Sequence, residues 1–270
     1  MIPGHVARRA TRVAAVALLA FGTGCGSSGG RGPTDGAAGA SPYLAKFSFF
    51  VISLEAVRAI SGSQDGFGGD LGGLDGADHI CAQAAEMGIA GAGAKTWRAF
   101  LSTSTVNAKD RVGVGPWYDA LGRLVASDLA HLIMDRPADA SPSIKNDLPN
   151  ETGLPNMMDG APGCTTNCPT NHQILTGSGA DGTHYLATMP ATDATCDDWT
   201  SKAPSGHPRV GHSYPGNGSG TSWISDEDGA GCAPCALADM PSVDGGLPAC
   251  VGATGGYGAF YCFAENIRPN

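Results

Sequence analysis

"GGDLGGLDGADHICAQAAEMG" (Gly68–Gly88) begins as glycine broken by aspartates and ends as an alanine-rich segment carrying one cysteine. Three readings compete for it. A phosphate cradle needs a glycine-rich turn with a Lys-Ser/Thr pair entering the helix, and no lysine occurs in this stretch. A calcium loop of the EF-hand type needs acids at regular offsets and a distal glutamate, whereas Asp65, Asp70, Asp75 and Asp78 are irregularly spaced. Helix entry fits best. Asp75 or Asp78 can cap the orphan amides and face the positive end of the helix dipole. Ile80, Ala84 and Met87 then share one helical face, with Cys81 beside it. The stretch reads as the doorway to a helix.

Outward from that helix, the chain divides by composition. Arg8, Arg9 and Arg12 precede an apolar run, "VAAVALLAF" (Val13–Phe21), which ends in small residues. The run is too short to span a bilayer permanently, so residues 1–24 read as an export signal. "GSSGGRGPTDGAAGASP" (Gly26–Pro42) reads as a flexible tether, with a mean reach of roughly 20–25 Å. The boundaries expected are therefore 1–24 for the signal, 25–44 for Cys25 and linker, and 45–270 for one domain.

Charge and cysteine content restrict what that domain does. Removing the signal takes away three arginines and no acids, leaving 13 basic against 25 acidic residues, a balance of −12. Such a surface repels phosphate backbones, so nucleic acid is excluded as a partner class. Forty-one glycines among 270 residues describe a loop-heavy domain rather than a large close-packed enzyme. Nine cysteines are present, and setting Cys25 aside leaves an even number in an oxidising setting, which implies disulfides.

Along the domain, "KFSFFVISLEAV" (Lys46–Val57) reads as a buried first strand and "TWRAFLSTST" (Thr96–Thr105) as a second. "SDLAHLIM" (Ser127–Met134) predicts a short helix capped by Ser127. The Pro-, Asn- and Asp-rich segment from Asp135 to Asn171 is irregular and long enough to be functional. "HQILTG" is strand-like, and "YGAFYCFAENI" (Tyr257–Ile267) reads as a closing core strand.

Two resemblances add to this. "GTGC" (Gly22–Cys25) resembles the lipobox of bacterial lipoproteins, with Gly22 where leucine is usual; it implies lipidation of Cys25 and, with Gly26 following, an outer-membrane anchor. "GADHICAQAAEMG…TWRAFLSTST" and "YCFAEN" resemble endostatin. Together with "GGLDGADHIC", "TCDDWTS" and "SWIS…GC" they are similar to a family of bacterial lectin-like lipoprotein domains, over Phe47–Asn266. The resemblance implies an α+β domain of C-type-lectin-like fold. It implies a Cys81–Cys262 bridge, for which loop entropy suggests on the order of 4–5 kcal/mol. It further implies Cys196–Cys232, with Cys235–Cys250 and Cys164–Cys168 closing smaller loops. The alternative is Cys196–Cys250 with Cys232–Cys235.

The remaining motifs are weighed on their chemistry. "CAPC" (Cys232–Cys235) matches a thiol–disulfide oxidoreductase pattern, but the acids of "DEDGAG" before it would raise a thiolate's pKa. Cys164, Cys168, Cys232 and Cys235 have zinc-knuckle spacing, ranked below disulfides after export. His207 and His212 lie in a Pro/Gly stretch and read as solvated loop histidines, so no metal is assigned. Calcium-binding lectins of this fold use Glu-Pro-Asn or Gln-Pro-Asp. Here "DLPN" (Asp147–Asn150) and "GLPN" (Gly153–Asn156) put leucine in the acid's place, which leaves calcium unsupported and no cofactor expected. The expected ligand face combines the Asp135–Asn171 loop with Trp223, Asp226, Glu227 and Asp228. The expected function is a noncatalytic, lipid-anchored surface domain recognising a glycan or protein. The alternatives are an oxidoreductase using Cys232 and Cys235, or a purely structural envelope lipoprotein.

Overall fold

The last strand is the hub of the molecule. A computed structural model describes residues 41–158, 171–186, 193–215, 221–236, 248–253 and 255–265, all within the unit Ala40–Asn270. The signal segment, Cys25, the tether up to residue 40, Cys164 and Cys168 lie outside the described residues.

Within them the chain forms β1 (Phe49–Val51), α1 (Leu54–Ser61), α2 (Gly73–Gly88), β2 (Trp97–Ala99), β3 (Trp117–Tyr118), β4 (Leu124–Ala126) and α3 (Leu129–Leu132). There follow β5 (Gln173–Leu175), α4 (Cys196–Trp199), β6 (Arg209–His212), β7 (Glu227–Asp228) and β8 (Ala259–Ala264). This is a mixed α+β domain with short helices and small sheets. No helix among the described residues is long and apolar enough to cross a membrane.

Every residue of β8 is buried, because the strand is paired on both edges. β1 lies antiparallel along one edge (Phe50 opposite Cys262). The other edge is shared by β2, antiparallel (Ala99 opposite Cys262), and β5, parallel (Leu175 opposite Phe260). β6 and β7 continue the sheet from β5, and β3 and β4 form a separate hairpin. A strand buried on both faces reads as a continuous apolar run rather than an alternation, which is what "AFYCFA" is.

Several expectations change on folding. The Lys46–Val57 strand is β1 followed by α1, because Ser53 caps a helix: its Oγ accepts the Ala56 amide at 3.0 Å. Glu151 fastens that cap from the long loop, accepting the Ser53 amide at 2.9 Å and its hydroxyl at 2.5 Å. Asp128, not Ser127, caps α3.

The Gly68–Gly88 stretch is indeed a helix entry, but neither aspartate caps it. The N-cap is Gly72 and makes no side-chain cap bond. Asp78 sits inside α2, buried, where it accepts from the Ala99 amide (2.8 Å), Arg98 (2.9 Å) and Arg111 (2.8 and 2.9 Å). Met87 faces solvent, while Ala77, Cys81, Ala84 and Ala85 form the buried face. The upstream glycines have a packing role: a Cβ on Gly69 would overlap the Cys196 sulfur. That run of backbone lies directly against a disulfide, and only hydrogen fits.

Three disulfides are described: Cys81–Cys262, Cys196–Cys232 and Cys235–Cys250. The first ties α2 to β8. The others bond Cys232 and Cys235 to separate partners, so the alternative pairing is corrected and neither sulfur is a free zinc ligand. Cys196–Trp199, within "TCDDWTS", is a turn of four successive non-glycine residues at φ of 51 to 68°. Such backbone costs about 1–2 kcal/mol per residue. The turn is over-determined by its neighbours: the Cys196 bridge, Trp199 Nε1 donating to the Ser102 carbonyl (2.8 Å), and Asp198 accepting the Ser104 amide (2.7 Å) and hydroxyl (2.6 Å).

Candidate functional site

The end of the sheet away from α2 gathers the chemistry. Pairing β5 against β6 sets Gln173 opposite His212, and pairing β6 against β7 sets Val210 opposite Glu227. His172, one residue before β5, is held at its backbone: its amide donates to the Gly255 carbonyl and its own carbonyl accepts from Ser213, both at 2.8 Å. The imidazoles of His172 and His212 meet edge to face with centroids 4.5 Å apart. A Cβ on Gly255 would overlap the His172 ring, so glycine there is what lets the ring occupy this place.

His212 is 2% exposed on its side chain, and its Nε2 faces two carboxylates: Glu227 Oε1 at 3.2 Å and Asp226 Oδ2 at 3.5 Å. Gln173 Nε2 donates to the same Glu227 oxygen at 2.5 Å. One ligand-type atom from each of His172, His212 and Glu227 lies within 4.8 Å of the other two. Glu227 is 43% exposed, so the corner opens to solvent on its side.

The surrounding hydrogen bonds are incomplete. Among the described residues, the buried His212 Nδ1, Gln173 Oε1 and Tyr214 hydroxyl have no hydrogen-bond partner. The Tyr214 ring lies 6.0 Å from that of His172. Burial, reinforced by the nearby Asp147, pushes its phenol up to about 12, so it stays protonated. Behind the corner, Arg136 donates to the carbonyls of His212 and Ser213 (2.6 Å each) and of Lys145 (3.0 Å). This clamps the loop after α3 onto the end of β6.

The expected ligand residues separate. Asp226 and Glu227 join the histidine corner. Asp228 instead pairs with Arg209 at 2.9 Å, and that guanidinium lies 4.3 Å over the Tyr185 ring. Trp223 is a correction. It is fully buried, donating Nε1 to the Leu132 carbonyl at 3.0 Å and packing on Tyr261 and Phe100, so it presents nothing to a ligand.

The two Leu-Pro-Asn segments also turn inward. Asn150 Oδ1 accepts from Thr152 and Leu154, and Asn156 bridges Asn171, Ser213 and Tyr257. Motif spacing in the sequence does not reveal the corner. His212, expected to be a solvated loop residue, is a buried strand residue, and His172 stands beside it just ahead of the neighbouring strand. A signal existed in the alternation: His172 shares parity with the apolar Ile174, and His212 with Val210.

Fold and site together define a disulfide-stapled α+β domain with a two-histidine, one-glutamate corner at the end of its main sheet. No protein-family model matches the chain. No curated protein matches it either.

Proposed function

We propose that this chain is a noncatalytic surface domain of C-type-lectin-like fold, exported and held at the outer membrane through a lipidated Cys25, that recognises an extracellular glycan or protein. The observation that carries the reading is the presentation of the loop after α3. Arg136 clamps its start, Glu151 is engaged with the α1 cap, and just beyond Glu151 Leu154 (61% exposed) and Met157 (40%) stand in solvent, with Leu121 against Gly153. Exposed apolar side chains on a loop fastened by such bonds are the usual material of a recognition surface. The Cys81–Cys262 bridge, tying the principal helix to the central strand, supports the lectin-like reading of the scaffold.

Two experiments test this. A glycan array, run with and without calcium, and a cross-linking capture on intact cells should return a ligand whose binding falls at least tenfold in Leu154→Asp. Mass spectrometry of the mature N-terminus should find an acylated Cys25. An unacylated terminus removes the anchor, and silence in both binding formats removes the recognition role.

A further inference from the structure

The geometry points to a site for one divalent transition-metal ion of the zinc class, held by His172, His212 and Glu227, which goes beyond the binding role proposed above. Tetrahedral zinc takes imidazole nitrogen and carboxylate oxygen at about 2.0–2.2 Å, which places neighbouring ligand atoms about 3.3–3.6 Å apart. The three candidate atoms lie within 4.8 Å of one another, and the His212 Nε2–Glu227 Oε1 pair, at 3.2 Å, is already close to that spacing.

The alternative, a histidine buried only for structure, fits less well. A core imidazole used as a hydrogen-bond strut employs both nitrogens. His212 leaves Nδ1 without a hydrogen-bond partner among the described residues and turns Nε2 toward two carboxylates at once. Two carboxylates converge on one imidazole nitrogen, a concentration of negative charge that a bound cation offsets. Orphaned buried atoms also concentrate here. Of the four buried side-chain polar atoms without a hydrogen-bond partner among the described residues, three belong to His212, Gln173 and Tyr214. Gln173 holds the Glu227 carboxylate through Nε2 and the Tyr214 ring flanks that of His172, so the three residues that carry these orphans adjoin the candidate ligands.

The donor set selects the metal. Calcium takes six to eight oxygens, whereas two imidazoles and a carboxylate suit zinc and its neighbours and leave a fourth position toward the solvent-open side of Glu227. Gln173, which holds the Glu227 carboxylate, then acts as a positioning residue. The tight approach of Gly255 sets the His172 ring in place.

The test uses the mature full-length domain, stripped with a chelator and titrated with Zn²⁺ by calorimetry, with Ca²⁺ as the second arm. One Zn²⁺ per chain is expected, bound at least tenfold tighter than in Glu227→Gln or His172→Asn. Ca²⁺ should give no heat at this site. His131→Asn, which alters the exposed His131–Asp128 pair, should leave affinity unchanged. Co²⁺ should give the visible bands of a four-coordinate N/O site, lost in Glu227→Gln. Because Glu227 is half exposed, that variant keeps the fold, which circular dichroism checks. Zinc uptake that is absent, or equal in wild type and Glu227→Gln, overturns the site. Neither result bears on the glycan and capture experiments, so the two proposals fail separately.

Discussion

Two charged clusters flank the same sheet and are built on opposite terms. Beside α2, Asp78 is buried with both oxygens engaged by Arg98, Arg111 and the Ala99 amide. At the β5–β6–β7 end, Glu227 is half exposed and three neighbouring polar atoms lack hydrogen-bond partners among the described residues. Burying a charge is tolerable only when its hydrogen-bonding capacity is filled. The Asp78 cluster meets that condition by itself and belongs to the scaffold. At the histidine corner the carboxylate faces solvent while neighbouring buried polar atoms go unfilled, and that difference is why the corner, and not Asp78, carries the metal proposal.

The comparison can be broken in order of expected effect. Replacing Cys81 and Cys262 together by alanine releases a closure of 181 residues, with a predicted loss of about 5 kcal/mol. Urea unfolding of the variant would register it as a lower midpoint, and a loss under about 2 kcal/mol would mean α2 is held mainly by packing. Next, Asp78→Ala strands the nearly buried Arg111 and should cost about 3–5 kcal/mol. Glu227→Gln, at the half-exposed corner, should cost about 1 kcal/mol or less. Equal losses would erase the distinction between the clusters.

Gly255→Ala should cost about 1–3 kcal/mol by overpacking, since the new methyl meets the His172 ring and φ is +131°. A parallel shift of the His172 ring signals in NMR would locate the damage.

The smallest effect is electrostatic. His131 and Asp128 pair at 2.8 Å on the surface of α3. The hydrogen bond to Asp128 raises the His131 pKa, and the His131 amide followed by its ring lowers that of Asp128. The raised histidine contributes stability that is present below its unfolded value, about 6.5, and fades as pH rises through the folded value. The depressed aspartate contributes above its unfolded value, about 3.9, and its contribution fades as pH falls through the folded one. The pair is therefore at its best between those limits. NMR titration of the His131 ring should show its raised midpoint return toward normal in Asp128→Asn.

What was legible in the sequence was local or covalent. The helix showed in "HICAQAAEM", whose expected face of Ile80, Ala84 and Met87 holds for the first two and not for the solvent-facing Met87, and the core strand showed in "AFYCFA". The acid run at Asp226–Asp228 drew attention because charges beside a tryptophan are visible without a fold. The rest depended on contacts distant in sequence. Nothing near Gly69 announces that its missing side chain makes room for the Cys196 sulfur. Ser53 is an unremarkable residue of an apolar run until the helix cap and Glu151 are seen together.

By itself, the sequence determined the acidic, glycine-rich, cysteine-paired character of the domain and the identity of its central strand. Composition and short apolar patterns need no partners to be read. Only tertiary structure decided which acids are sealed and which remain open. It carried Asp78 to two arginines, took Trp223 into the core, and brought His172, His212 and Glu227 to one corner across three strands. A side chain's chemistry is written in its residue type, but the desolvation and neighbours that direct that chemistry exist only once distant segments pack together.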